Sequence, residues 1–398
     1  MAAAEIPATY RALQFTSSTS PPSIVTLPTP TLSPGSVLVK PLRATLFPYT
    51  RDIFTRGNSR GYHYPLPLVP GSATIGRLVA AAPDVPSLSS SSGQLVWLDP
   101  VLRASDRSGV KILHGLNSGP SPAAKALASS DAWRNGSWGE LVHVPAENVH
   151  LLDEDVLTNK LGYSLDDLGY LAQLTITYGG LRDVDVRPGE TVLIAPATGS
   201  FGGAAVHVAL ALGANVIAMG RNQDILAELE GVAEKSYPLS RFTAVKLTGT
   251  SVDADKETIM GAAEEIGRKT DGMIDVYFDM SPPGASNSSH IKAGIMALRP
   301  GGRMSLMGGA AGDVGFPYYQ IMVKGLRLQG SWMYTPQQVE ELIRLVEDGR
   351  LKLGEQGAGV KCLGVFGLEA WEEAFRVAGD GGRVGRFALL APSGKEAA

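Results

Sequence analysis

Thr191-Val-Leu-Ile-Ala-Pro-Ala-Thr-Gly-Ser-Phe-Gly-Gly-Ala-Ala-Val206 is the stretch that decides the fold. It reads as an apolar strand (Thr191–Ala195), a turn of small residues, and then an Ala-rich helix (Gly202–Leu212). The turn carries A-x-G-x-x-G at Ala197, Gly199 and Gly202. A side chain at Gly199 would block the approach of a pyrophosphate to the backbone, and Gly202 lets helix and strand pack closely. The helix start offers free amides and a positive dipole end. The whole turn, Ala197, Thr198, Gly199, Ser200, Phe201 and Gly202, is therefore assigned to a dinucleotide.

Outward from this turn the chain alternates strands with helices. Strands are expected at Asn215–Met219, Ile274–Asp279 and Gly302–Met307, and helices at Asp224–Leu229, Thr258–Lys269 and Ser289–Leu298. The strands are apolar runs without strict alternation, as expected when helices cover both faces of a parallel sheet. The fold class read here is α/β, with a doubly wound parallel sheet over residues 169–321. A dinucleotide fold normally places an acidic residue about 20 positions past the turn to hold the ribose hydroxyls. Counting 220 − 199 = 21 reaches Gly220, followed by Arg221 and Asn222, and no acid stands there. Gly220 leaves room for a 2′-phosphate and Arg221 can meet it with charge-assisted bonds, so NADP(H) is the expected coenzyme.

The first 150 residues differ. Short β-rich pieces (Ser36–Pro41, Gly76–Ala80, Gln94–Leu98, Trp138–His143) are separated by Pro, Gly and Ser clusters, which predicts a β-dominated domain over 1–168. A strand Leu326–Trp332, helices Thr335–Asp348 and Leu368–Val377 and a strand Val384–Leu390 are expected to complete it, so that 322–398 returns to the first domain. The segment Ala104–Ser137 carries little pattern.

Composition excludes several classes. With Lys+Arg 35 against Asp+Glu 39 the formal net charge is −4, which leaves no basic surplus for nucleic acid or anionic lipid. Charged residues at 19% and hydrophobic ones at 44% suit a folded enzyme of 398 residues. The single cysteine, Cys362, excludes an intrachain disulfide and every multi-cysteine zinc site. Met1-Ala-Ala-Ala-Glu-Ile-Pro7 lacks a basic, then apolar, leader, and Ala204–Met219 is broken by His207, Gly213 and Asn215. A cytoplasmic protein is expected, with no membrane partner.

Further motifs make the chain resemble the medium-chain dehydrogenase/reductase superfamily, the alcohol dehydrogenase and quinone oxidoreductase group. They are Tyr64-Pro-Leu-Pro-Leu-Val-Pro-Gly-Ser-Ala-Thr-Ile-Gly76, Gly136-Ser-Trp-Gly-Glu-Leu141, Thr177-Tyr-Gly-Gly-Leu181, Arg187-Pro-Gly-Glu-Thr-Val-Leu-Ile194 and Arg299-Pro-Gly-Gly-Arg303. The resemblance implies a GroES-like catalytic domain, an inserted Rossmann domain, an active site in the cleft between them, and a homodimer. It also implies coenzyme contacts at Thr177, Met307 and Gly308, with Ser331 closing the pocket. Where zinc-dependent members carry Gly-His-Glu this chain has Gly71-Ser72-Ala73. The segments matching the other two ligands read Thr45-Leu-Phe-Pro48 and Leu171-Ala-Gln-Leu-Thr175, and the loop of the structural zinc has no cysteine. The resemblance therefore implies no metal and a zinc-free branch, similar to quinone oxidoreductases, enoyl reductases and zinc-independent alcohol dehydrogenases.

Without a Lewis acid, hydrogen-bond donors must meet the charge that develops on the substrate oxygen. Tyr64 resembles the tyrosine that enoyl-thioester reductases place over substrate, and Tyr49 is the second candidate. His63, His114 and His143 could titrate near neutrality but lie in no demanding pattern, and His207 reads as a core or helix-surface residue. The expected reaction is hydride transfer from NADPH to a polarised C=C or C=O of an apolar small molecule. Zinc-free ketone reduction or alcohol oxidation is the alternative within the class, and a non-catalytic NADPH-binding protein the alternative outside it.

Overall fold

The computed structural model describes residues 6–17, 19–267 and 271–397. The end of the expected helix Thr258–Lys269 and residues 1–5 of the start lie outside that set. The chain divides into two compact units: Met1–Ala172 with Cys362–Gly382 and Arg386–Ala398, and Gln173–Lys361 with Arg383–Gly385.

The first unit is β-rich. A hairpin of β1 (Thr9–Gln14) and β2 (Ser23–Pro28) precedes β3 (Ser36–Leu46), the long strand around which a mostly antiparallel sheet is built. β3 pairs with β4 (Thr74–Ala81), which carries β5 (Leu95–Leu98). The small hairpin β6 (Val101–Arg103) and β7 (Lys111–Leu113) follows, then β8 (Val142–Pro145) on β3 and β9 (Val149–Leu151) on β5. Under the sheet Val37, Val39, Leu78, Val96, Leu98, Val142 and Val144 form one apolar core. Of the helices here, α1 (Thr50–Phe54) is a single turn. α2 (Pro122–Ser129) lies inside the segment that looked patternless; Ser121 caps it by accepting from Ala124 N, and Pro122 takes the first helical position.

The second unit begins on α3 (Leu171–Asp183), of which it holds Gln173 onward. β10 (Thr191–Ala195) is buried at every residue and leads into α4 (Ser200–Ala211), β11 (Asn215–Gly220) and α5 (Gln223–Ser236). Then come β12 (Phe242–Lys246), α6 (Val252–Glu265), β13 (Ile274–Asp279), α7 (Ser289–Ala297), β14 (Leu298–Leu306), α8 (Tyr318–Lys324), β15 (Arg327–Gly330) and α9 (Pro336–Glu347). The six strands run parallel in the order β12-β11-β10-β13-β14-β15. Chain order reverses between β10 and β13, and there a doubly wound sheet opens to its ligand, at the carboxyl ends of the strands. α4 is buried from Gly202 to Ala211 because Ala and Val cover its whole surface, which places it between layers instead of at solvent.

The return to the first unit falls later than the sequence suggests. Arg327–Gly330 adds a sixth strand to the parallel sheet through β14, and α9 stays with it, so 322–361 belongs to the second unit. β16 (Lys361–Phe366), α10 (Trp371–Asp380) and β17 (Arg386–Leu390) follow, with β17 antiparallel to β3. Between the last two, Arg383–Gly385 belongs to the second unit, and Gly199 pairs with Arg383.

Candidate functional site

At the end of β10 the chain turns through Pro196 and Ala197, whose amide donates to Met219 O at 2.8 Å and ties the turn to the neighbouring strand. Gly202 is obligatory here: a Cβ on it would stand 2.0 Å from Pro196 O. Over Gly199, by contrast, a Cβ would meet nothing within 4 Å, so the space above this glycine is open. Gly199 is the N-cap of α4 and offers no side-chain cap, which leaves the first amides of the helix to another acceptor. Ser200 Oγ is buried and has no hydrogen-bond partner among the described residues. A buried hydroxyl without a partner costs about 1–3 kcal/mol, and a phosphate at this helix start would supply the acceptor. The turn thus fits the pyrophosphate of a dinucleotide. Phe201, half-buried, opens the helix beside it.

Gly220 ends β11, and its carbonyl accepts from Leu247 N at 2.8 Å. The space a Cβ would take is filled from the turn: Thr198 Cγ2 would lie at 2.4 Å. The structure thus gives Gly220 a packing reason that the sequence did not show. Arg221 next to it is exposed and forms no ion pair among the described residues, and the exposed Lys246 is in register with Gly220 on β12. Asn222 caps α5, accepting from Ile225 N at 3.1 Å, so its side-chain oxygen is already engaged.

At the far side of the switch point, Asp279 ends β13 level with Ala195 of β10. Met307 N donates to Asp279 O at 3.1 Å, and Gly309 N to Ser281 O at 2.8 Å. Between them Gly308 cannot carry a side chain, because a Cβ would lie 2.5 Å from Ser281 N and 2.6 Å from Asp279 Oδ2. Asp279, Ser281 and His290 are all buried. Ser281 donates to Asp279 Oδ1 at 2.5 Å and Tyr277 to the same oxygen at 3.3 Å, while His290 Nε2 meets Ser281 Oγ at 2.9 Å and its Nδ1 meets Ser288 Oγ at 2.7 Å. Burial first, then the adjacent Asp279 carboxylate, push the Tyr277 phenol well above its ordinary range. This is not a hydrolase triad: the serine bonds the carboxylate directly and the imidazole lies beyond it. The sequence reading missed this group, whose only local signal is an aspartate closing an apolar strand.

Thr177 is buried on α3 and its hydroxyl turns back to Leu174 O at 3.0 Å and Gln173 O at 3.3 Å. Three residues on, Gly180 packs on Met307, where a Cβ would meet Cγ at 2.6 Å. Ser331 donates to Asp183 Oδ2 at 2.6 Å, and its amide to Leu306 O. Thus α3, the end of β14 and the residues after β15 are joined in one unit. Val384, whose amide donates to Thr198 O at 3.2 Å, fills the notch over Gly203. Arg383 and Val384 were not foreseen, since only long-range pairing brings them to the turn.

The tyrosines proposed as donors lie in the first unit. Tyr64 is half-buried, its ring 5.5 Å from Phe54, and its hydroxyl donates to Ile53 O at 3.2 Å. Burial raises its pKa. Tyr64 lines a cavity of about 400 Å³ with Asn58, Tyr62, His63, Ser118 and Lys125. Tyr49 stacks on Phe47 at 5.5 Å under the Arg60 guanidinium, 4.0 Å from its ring centre, and burial pushes its phenol well up. His114 and His207 are buried, which lowers each to about 4. His143 is lowered too, by burial.

The positions that matched metal ligands carry other chemistry. Thr45 Oγ1 donates to Gly169 O at 2.9 Å, Ser72 and Ala73 follow Gly71, and Gln173 is buried with both amide atoms unpartnered among the described residues. A hydroxyl and a neutral amide do not fit a zinc site built on thiolate and imidazole. Among the described residues no three His, Cys, Asp or Glu side chains converge on one point, and no helix is long and apolar enough to cross a membrane.

Residues 201–348 match the family model described as zinc-binding dehydrogenase, a span that includes none of those three positions. An alcohol dehydrogenase of Rhizobium meliloti (strain 1021) is 29% identical over 174 residues, 44% of this chain and 44% of that protein. The chain thus spans less than half the length of this curated relative. Among solved structures, a short chain alcohol dehydrogenase from E. coli CFT073 complexed with NADH superposes with a TM-score of 0.73 at 18% identity, covering 97% of this chain and 100% of that one. The crotonyl-CoA carboxylase/reductase AntE in complex with NADP does so with a TM-score of 0.70 at 16% identity, over 98% of this chain and 96% of that one. The zinc-binding dehydrogenase match over residues 201–348, together with the β-rich unit, the reversing parallel sheet and the glycine turn between β10 and α4, supports a medium-chain dehydrogenase/reductase fold for this chain.

Proposed function

We propose that this chain is an NADP(H)-dependent oxidoreductase that works without a metal and moves hydride to a polarised C=C or C=O of an apolar small molecule. The observation that carries the reading is the turn Ala197–Gly202, with open space over Gly199 and the buried, unpartnered Ser200 hydroxyl at a helix start. The exposed Arg221, without an ion pair among the described residues, and the absence of an acid at Gly220 support the phosphorylated coenzyme. The bound coenzyme supplies the hydride; the chain holds it and orders what surrounds it. Gly199 and Ser200 present amides and a hydroxyl to phosphate. Gly308, held by Asp279 and Ser281, offers backbone groups at the carboxyl end of β14. Tyr64 is the proposed proton donor to substrate; that role needs its hydroxyl to leave Ile53 O. The metal-free reading is supported by the donor chemistry at Thr45, Ser72 and Gln173.

A partner is proposed too: a second copy of the chain, on the edge strand β15. That strand has one unpaired side, and α8 next to it exposes Tyr318, Tyr319, Met322 and Val323. Sedimentation of the chain as a dimer, converted to monomer by Met322→Asp with Val323→Asp, is the expected result; a wild-type monomer overturns it.

Turnover decides the main reading. NADPH oxidation is followed with a panel of enones, quinones and ketones, before and after exhaustive chelation, with the metal content measured alongside. The expected result is turnover that survives chelation. Bound coenzyme without turnover across the panel would instead make the chain a non-catalytic NADPH-binding protein.

A further inference from the structure

Asp279 is a carboxylate with an unusual address. It ends β13, the strand on one side of the switch point, level with Ala195, the residue from which the phosphate turn departs on the other side. It is buried, and no lysine or arginine pairs with it among the described residues; beside the Tyr277 hydroxyl at 3.3 Å stands His290, 3.7 Å away and itself held between Ser281 and Ser288. Since Ser281 donates to Asp279, the Ser281 oxygen is left to accept from His290 Nε2–H, and His290 Nδ1 meets Ser288 Oγ. The described network thus gives the Asp279 carboxylate two hydroxyl donors and no lysine or arginine under the crevice. Packing alone does not explain it: an uncharged side chain closing β13 would spare the cost of burying a carboxylate without a cation. A buried carboxylate with no lysine or arginine beside it raises the question of which cation it serves.

The oxidised coenzyme answers it, because it carries one positive charge more, on its ring, than the reduced form. We propose that Asp279 tunes this chain for the oxidised nicotinamide, its buried charge favouring bound NADP⁺ over bound NADPH. This rests on the coenzyme reading above. The effect is electrostatic and needs no contact, since in a poorly screened interior unit charges interact over several ångströms. It would lower the cost of giving up hydride at the site. Oδ2, which faces the place where a Gly308 side chain would stand, is the oxygen turned towards the end of β14, while Oδ1 is occupied by the two hydroxyls.

The test is the ratio of two dissociation constants, measured calorimetrically for NADP⁺ and NADPH on the full chain. Asp279→Asn keeps the shape and the Oδ1 acceptor and removes the charge. Its expected effect is a shift of the NADP⁺ to NADPH ratio by about tenfold against the oxidised form. Ser281→Ala removes a hydrogen bond but not the charge, and should weaken both forms alike with the ratio within about twofold of wild type. Should Asp279→Asn fold poorly, the double variant Asp279→Asn/Ser281→Ala removes the hydroxyl that its new amide could oppose, and the same tenfold shift is expected. Equal weakening of both forms by Asp279→Asn, or an unchanged ratio, overturns the proposal while leaving the coenzyme reading intact. A wild-type chain that binds neither NADP(H) nor NAD(H) is the distinct result that removes the coenzyme reading itself. A chain that prefers NAD(H) leaves the same ratio to be measured with that pair, with the same two outcomes.

Discussion

Replacing Gly220 by alanine separates two reasons for a glycine at the end of β11. The sequence suggests that the position is bare to admit a 2′-phosphate; the structure shows that Thr198 of the phosphate turn takes the space, its Cγ2 2.4 Å from where the new methyl would lie. Carbon atoms pack at roughly 3.5–4.0 Å, so more than about 1 Å of overlap must be relieved. Overpacking of this kind costs about 1–3 kcal/mol. The strand end is held by Leu247 N on Gly220 O, so the turn is the part that moves. If that strain falls on the coenzyme-competent form of the turn, each 1.4 kcal/mol weakens binding about tenfold, which gives roughly a 5- to 150-fold loss. The loss should be the same for NADPH and NADH, because the displaced group is the turn and not the phosphate. Thr198→Ser deletes the offending methyl, so the double variant Thr198→Ser/Gly220→Ala should recover most of the affinity. Titration of coenzyme fluorescence reads all four combinations. A loss confined to NADPH, with no recovery in the double variant, would refute the packing argument and return Gly220 to the role its sequence context suggests.

Three further outcomes follow from burial and close contact. His207, held neutral by burial with a pKa of about 4 against 6.5, is a group depressed on folding; its contribution is whole above about pH 6.5 and is lost as pH falls towards 4. The difference of 6.5 − 4 = 2.5 is worth about 3 kcal/mol, so His207→Phe should lower the acid unfolding midpoint; an unchanged midpoint contradicts it. Gly203→Ala would drive a methyl into Val384 Cγ2, 1.6 Å away, and should cost about 2–3 kcal/mol in urea unfolding, with Val384→Gly restoring much of it. Equal stability of the single and double variants would deny the contact. Cys362 is pushed up to about 11 by burial, so its alkylation at pH 8 should run about a hundredfold slower than that of a free thiol, and reaction at the free rate would show the burial to be wrong.

What was legible in the sequence was what local pattern encodes. β10 and β13 are short apolar runs bounded by turn residues, and their limits fall where the sequence places them. β12, Phe242–Lys246, passed unnoticed because an edge strand with one fully buried residue shows no such run. The same weakness hid the allegiance of Arg327–Gly330, mostly exposed, so that 322–361 was expected in the wrong unit. The helix Pro122–Ser129 was hidden by the Ser, Gly and Asn around it, although Ser121-Pro122 is a recognisable start. In the candidate site Gly199 and Gly202 were readable from their place in the turn, Gly202 answering the steric demand of Pro196 O and Gly199 leaving the space above it open. The partners that make those demands were not: Thr198 on Gly220, Val384 on Gly203 and Asp279 on Gly308 are contacts between distant stretches of chain. Sequence spacing carries no record of such pairs, which is why the aspartate and its serine and histidine emerge only in three dimensions.

The central claim is that the β10–α4 turn holds a coenzyme whose adenosine ribose is phosphorylated. Calorimetry of the wild-type chain with NADPH and NADH, repeated on Arg221→Ala, tests it most directly. Tighter binding of NADPH is expected, with the preference reduced at least tenfold by the substitution, in keeping with about 1.5–3 kcal/mol for a charged hydrogen bond. Equal or tighter binding of NADH by the wild-type chain would contradict it.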